Sequence, residues 1–198
     1  MSIETLTVGE SDTNCYLVWD NKTKDAVIID PGDDADYIMR KVGDLDITPK
    51  ACLATHGHFD HVLASFELST AYGIPFYVHK KDDFLLRRTK GTAMFFTKNS
   101  EIDPVVANYL ESKRQALKFG SLTLKVVSTP GHTPGGVCFV LDSEEAVFVG
   151  DLFFADESVG GFNHKYSSKQ ELVSSLTKIK DNFSGYTVYP GHGENFSI

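Results

Sequence analysis

Residues 56–61 read His56-Gly57-His58-Phe59-Asp60-His61, and this block governs the reading of the whole chain. It packs three of the chain's seven histidines and a carboxylate into six residues. Neutral imidazoles and carboxylates are good ligands for zinc and other borderline divalent ions. Side chains two apart on extended backbone point to the same side, so His56 and His58 can grip one cation. As the chain turns into the next element, Asp60 and His61 can face a second cation a few Å away. Gly57 removes side-chain bulk where the backbone must approach the site. Upstream, residues 51–55 form a buried-type apolar strand that runs straight into the block, and downstream residues 61–72 read as a helix.

The same arrangement recurs along the chain. A strand over residues 122–128 ends in Thr129-Pro130-Gly131-His132, one over 146–149 ends in Gly150-Asp151, and one over 186–189 ends in Pro190-Gly191-His192. Further strands are expected over residues 3–8, 14–19, 26–29, 75–79 and 137–141, with helices over 35–42, 82–88, 104–113 and 168–179. Strand ends that carry His and Asp lie on one edge of a sheet, where loops hold chemistry on a rigid base. Leading strands with interspersed helices predict two packed sheets with helices outside, an α/β sandwich.

The bulk numbers set bounds. With 198 residues, 41% hydrophobic and 23% charged, the chain suits one domain over residues 1–198 with a substantial core. A net charge of -8 disfavours nucleic acid as a partner and leaves a small-molecule substrate. The basic clusters Lys80-Lys81, Arg87-Arg88-Thr89-Lys90 and Lys113-Arg114 read as solvated helix faces. Cys15, Cys52 and Cys138 are odd in number, far apart and set in apolar runs, so they read as buried reduced thiols. No apolar run approaches the ~20 residues of a membrane span, and residues 1–4 lack the basic-then-apolar pattern of a secretion signal. The expectation is a cytoplasmic protein with no membrane partner; its oligomeric state is not legible.

In the order of these motifs, the chain resembles the metallo-β-lactamase superfamily, and the likeness spans nearly its whole length. It is most similar to the glyoxalase II-like (hydroxyacylglutathione hydrolase-like) branch in its short single-domain form. The resemblance implies a four-layer αββα sandwich and two divalent metal ions, zinc first, with iron or manganese as alternatives. His56, His58 and His132 would bind one metal, Asp60, His61 and His192 the other, and Asp151 would bridge them together with a hydroxide. Asp60 is also the candidate proton relay. Asp30-Pro31-Gly32 resembles the family's structural Asp-x-Gly turn, whose carboxylate supports the site without touching metal.

The implied reaction is hydrolysis of a thioester such as an S-acylglutathione, or of a related small ester. Asp151 argues against a dedicated β-lactamase, because those of this fold usually lack Asp at the bridging position. Flavodiiron proteins carry Glu where this chain has His58. Two departures concern glutathione: the chain ends six residues after His192, where full-length glyoxalase II continues into a helical domain, and Gly160-Gly161-Phe162 stands where the family commonly has a basic residue. The rival readings are a mononuclear iron persulfide dioxygenase using His56, His132 and Asp151, and β-lactamase or phosphodiesterase activity on the same site. The loop over residues 160–166 reads as exposed, and because it would overhang the site, Asn163, His164 and Tyr166 are the candidate substrate contacts. His79 reads as structural or surface. Residues 91–96, with Met94, Phe95 and Phe96, read as a small hydrophobic cluster, with an apolar wall beside the substrate as the alternative.

Overall fold

Strand Thr13–Trp19 is buried at every position, and its side chains divide by parity. Cys15, Leu17 and Trp19 pack toward one layer of helices, whereas Tyr16 and Val18 face a second sheet. That two-residue period is repeated on the other side: Val137, Phe139 and Leu141 join Tyr16 in the central core, while Cys138 and Val140 point to an outer helix. Strands buried on both faces give continuous apolar runs rather than alternation, which is how they appear in the sequence. The result is a four-layer αββα sandwich, here seen in a computed structural model that describes residues 1–96, 105–111 and 115–198.

The first sheet contains β1 (Ser2–Val8), β2 (Thr13–Trp19), β3 (Asp25–Ile29), β4 (Thr48–Leu53), β5 (Phe76–His79) and β6 (Ala107–Leu110), in that spatial order. β1, β2 and β3 are antiparallel neighbours, and β3 through β6 are parallel. The second sheet contains β7 (Gln115–Phe119), β8 (Leu122–Ser128), β9 (Val137–Leu141), β10 (Ala146–Gly150), β11 (Thr187–Pro190) and β12 (Phe196–Ser197), again in chain order. Helices α1 (Ala35–Asp44) and α2 (Ser65–Tyr72) cover the first sheet through Ile38, Val42 and Leu68. Helix α5 (Lys169–Asn182) covers the second through Leu172 and Ile179. The short α3 (Asp83–Leu86) and α4 (Thr89–Phe96) follow β5. Among the described residues no helix is long and apolar enough to cross a membrane.

Helix α5 starts where its sequence says it should. The Ser168 hydroxyl accepts the Glu171 N–H at 3.3 Å, the serine half of a Ser-x-x-Glu cap. Ser168→Ala is expected to destabilise the fold by about 1 kcal/mol. For a chain of this size that lowers the thermal midpoint by roughly 2–4 °C, which a thermal melt would register.

Three expectations need correction. Within residues 104–113, read as a helix, Ala107–Leu110 is instead a strand paired in parallel with β5. Leu110 is buried in the inter-sheet core, and that non-local pairing outweighs the local pattern. The helix read over 61–72 begins only at Ser65, after a 3-10 turn at Phe59–His61 that re-aims the ligand block. The helix read over 82–88 is a 3-10 turn, Lys80–Asp82, followed by α3. Within the segment after Arg88, residues 91–96 belong to α4. Its residues 97–103, the ends of the expected 104–113 helix at 104, 112 and 113, and the pair Lys113-Arg114 lie outside the described residues. All three cysteines are free and buried.

Candidate metal centre

Strands β8, β10 and β11 run in one direction, because β8 and β10 are each antiparallel to β9 and β11 is parallel to β10. Their ends therefore deliver His132, Asp151 and His192 to one edge of the second sheet. β4 of the facing sheet delivers the 56–61 block to the same place. Gly150, at φ +53, makes the turn out of β10 in the left-handed region. At Gly191 a β-carbon would lie 2.3 Å from Asp151 Oδ1 and 2.7 Å from His61 Cε1, so no other residue fits there without displacing the site.

The seven residues form two groups that share one carboxylate. His58 Nδ1 lies 3.0 Å from His56 Nε2 and 2.9 Å from His132 Nε2, so three ring nitrogens converge on one point. In the second group His192 Nε2 is 3.7 Å and His61 Nε2 3.9 Å from Asp60 Oδ2. Asp151 lies between them. Its Oδ2 is 3.5 Å from His132 Nε2, and its Oδ1 is 3.5 Å from His61 Nε2 and 3.6 Å from His192 Nε2.

The nitrogens that point away from the centre are tied down. His56 Nδ1 lies 3.1 Å from the Thr55 hydroxyl, His61 Nδ1 3.2 Å from Asp30 Oδ2, His132 Nδ1 2.7 Å from the Gly161 carbonyl, and His192 Nδ1 3.3 Å from the Asp12 carbonyl. His58 uses its other nitrogen, Nε2, for the Tyr166 hydroxyl at 2.9 Å. An outer acceptor fixes the tautomer of an imidazole and aims the inner lone pair inward, the usual support for a metal-ligating histidine. Asp30 also accepts from the Thr55 N–H and hydroxyl, both at 2.7 Å, and so performs the supporting role its turn implied.

The electrostatics fit cations. Burial, followed by the neighbouring imidazoles, holds His56 well below the usual histidine range. The same causes bring His58 down to about 3. Burial also pulls on His61, but Asp151, Asp60 and Asp30 outweigh it and push that imidazole up to about 10. Burial works against ionisation of Asp151, yet the surrounding histidines hold its carboxyl below the usual range. His61 Nε2 and Asp151 Oδ1 are buried without a hydrogen-bond partner. Orphaned buried groups are costly, and inward-facing lone pairs 2.9–3.0 Å apart repel. Divalent cations relieve both, so the donor set fits metal.

A metallo-beta-lactamase superfamily model matches residues 8–192. The chain belongs to this superfamily. As a superfamily member it is a metal-dependent hydrolase of the αββα fold. It is 31% identical over 201 residues to the hydroxyacylglutathione hydrolase GloC of Haemophilus influenzae, covering 100% of this chain and 93% of that protein. Among solved structures it resembles the BLEG-1 B3 metallo-beta-lactamase, with a TM-score of 0.91, 30% identity, and coverage of 99% of this chain and 94% of that one. It also resembles TTHA1623 in a di-iron-bound form, with a TM-score of 0.87, 31% identity, and coverage of 98% and 94%.

Like its relatives' shared fold, the superfamily motif was visible in the sequence; its supports were less so. All seven ligand candidates converge. Tyr166 reaches the centre by bonding His58, and the His164 ring stacks on it at 4.9 Å. Asn163 is exposed. His79 is buried, and its Nδ1 accepts the Lys81 N–H. Sequence reasoning missed Asn14, whose buried amide donates to the carbonyls of Pro190 and Gly193 and anchors the His192 loop to β2. It also missed Asp82, buried beneath the first group.

Proposed function

We propose that this hydrolase works with two metal ions and cleaves a thioester of the S-acylglutathione type or a related small ester. The observation that carries the reading is the division of Asp151, one oxygen toward each ligand group. The full-length likeness to GloC supports the thioester.

Divalent cations held by the two groups would lower the pKa of a bound water toward neutrality and polarise the substrate carbonyl. The protein's own residues prepare that event. Thr55, Asp30, Gly161 and Tyr166 keep the imidazoles in one tautomer, so no reorganisation accompanies reaction. Asp60, partly exposed at the rim, is the candidate to relay a proton. A cleft of about 420 Å³ opens beside His192, lined by Phe154, Asp156, Ser158 and Glu194. On another flank the Phe59 ring stacks on Phe96 of α4 at 5.4 Å, which supports the reading of an apolar wall beside the ligand block. His164 and Tyr166 form the rim over His58, and with Asn163 they are the proposed substrate contacts.

The test is metal quantification on purified protein followed by a panel of thioesters, β-lactams and phosphodiesters. Two metals per chain and preferential thioester cleavage are expected. One iron per chain with oxygen uptake on a persulfide would replace this reading with the dioxygenase, and turnover of no ester would end it. Within the same assay, Tyr166→Phe is expected to weaken metal binding about tenfold by releasing the His58 ring. An unchanged affinity would take the phenol out of that role.

A further inference from the structure

Asp82 is fully buried at the end of the turn after β5, yet it lies in Lys80-Lys81-Asp82-Asp83, a run that reads as surface. Three donors converge on its carboxylate. Oδ2 accepts from the Gly57 N–H at 2.9 Å and from the Thr133 hydroxyl at 2.7 Å, and Oδ1 accepts from the Gly135 N–H at 2.7 Å. Gly57 separates His56 from His58, and Thr133 follows His132. The carboxylate therefore joins the two loops that carry the first group, loops 51 and 53 residues away from it in one direction and 25 in the other.

The packing around it is closed. A β-carbon on Gly57 would lie 2.9 Å from Asp82 Cβ, and one on Gly135 would lie 2.6 Å from its carboxyl carbon. Gly57 is thus small for the sake of Asp82, a different reason from the approach to metal that its place in the block suggests. Asp30 holds His61 of the second group directly and reaches the first group only through Thr55, whose hydroxyl lies against His56 Nδ1.

We propose that Asp82 is a positioning residue for the first metal group, fixing His58 against His132, while in the second group Asp30 holds His61 and the Asp12 carbonyl holds His192. This rests on the two-metal reading. Only an acceptor at both oxygens serves all three donors. An asparagine there turns its amide N–H₂ toward either the Gly135 N–H or the Gly57 and Thr133 donors, and so rescues in part.

The test is a cobalt(II) titration of wild type, Asp82→Asn, Asp82→Ala and Thr133→Val, followed by calorimetry and by the visible absorption of the bound ion. Circular dichroism checks the fold. His58→Ala and His192→Ala identify which equivalent belongs to which group. Expected are two equivalents in wild type and a first-group affinity about 10–100-fold weaker in Asp82→Ala. Asp82→Asn should be intermediate, Thr133→Val weaker by a few-fold, and the second equivalent within about threefold of wild type throughout. Thr133→Val and Asp82→Asn keep the question answerable if Asp82→Ala does not fold. Unchanged first-group affinity in folded Asp82→Asn, or equal weakening of both equivalents, overturns the proposal. If wild type takes up a single equivalent, the two-metal reading fails on its own. Asp82 is then judged on that equivalent, standing if Asp82→Asn weakens it and falling if not.

Discussion

Asp151→Ala is expected to reduce hydrolysis by about a thousandfold or more and to cost the protein much of its bound metal. The wild-type carboxylate lies within 3.6 Å of three imidazoles that belong to different groups, so its loss removes a ligand atom from both at once. It also removes the carboxylate oxygen that lies 3.5 Å from the buried His61 Nε2. Removal of one preorganised electrostatic group commonly costs 10²–10³ in rate, and here the same change disturbs the ions as well. The measurements are kcat on the best thioester and metal content by elemental analysis, with circular dichroism to confirm the fold. His58→Ala should show a comparable loss through the first group alone. Near-wild-type turnover by purified, folded Asp151→Ala would refute the shared-carboxylate arrangement.

Metal removal should be read as strongly in stability as in activity. A ligand present at a thousand times its dissociation constant stabilises the folded state by about 4 kcal/mol. For a chain of this size that corresponds to a fall of roughly 8–16 °C in melting temperature when a chelator strips the site. The physical source is visible in the pairs left facing each other: His58 and His132 at 2.9 Å, and the unpartnered His61 Nε2 and Asp151 Oδ1. Scanning calorimetry before chelation, after it, and after reloading with zinc or iron would measure the effect. An unchanged melting temperature would mean that the cluster holds no resident ion.

How much of this was legible in the sequence follows from what each feature depends on. The ligand block and the His or Asp at the ends of β8, β10 and β11 declare themselves because the chemistry is local: rare residue types at fixed spacing beside a strand. The doubly buried strands are equally plain, since Thr13–Trp19 is apolar enough to have no solvent face. The misread and unread elements are short and depend on the strand each one pairs with. β6 is four residues long and exists because Phe76–His79 offers it a parallel edge. The unread β7 is held by antiparallel pairing to β8, and β12 is two residues against β11. Asp82 and Asn14 were invisible for a related reason. A carboxylate among lysines and an amide at a strand start look like surface until the fold brings their donors and acceptors to them.

Four ligand loops that meet only at the seam between the sheets also dictate an order of events. His56 follows a strand of the first sheet, but its companions at 132, 151 and 192 come from the far sheet. No half-assembled fold possesses a complete cage, so tight capture of ions must wait until both layers have closed on each other. Metal retention therefore works as a built-in certificate of finished folding, and a misassembled copy would be recognisable by the ions it lets go.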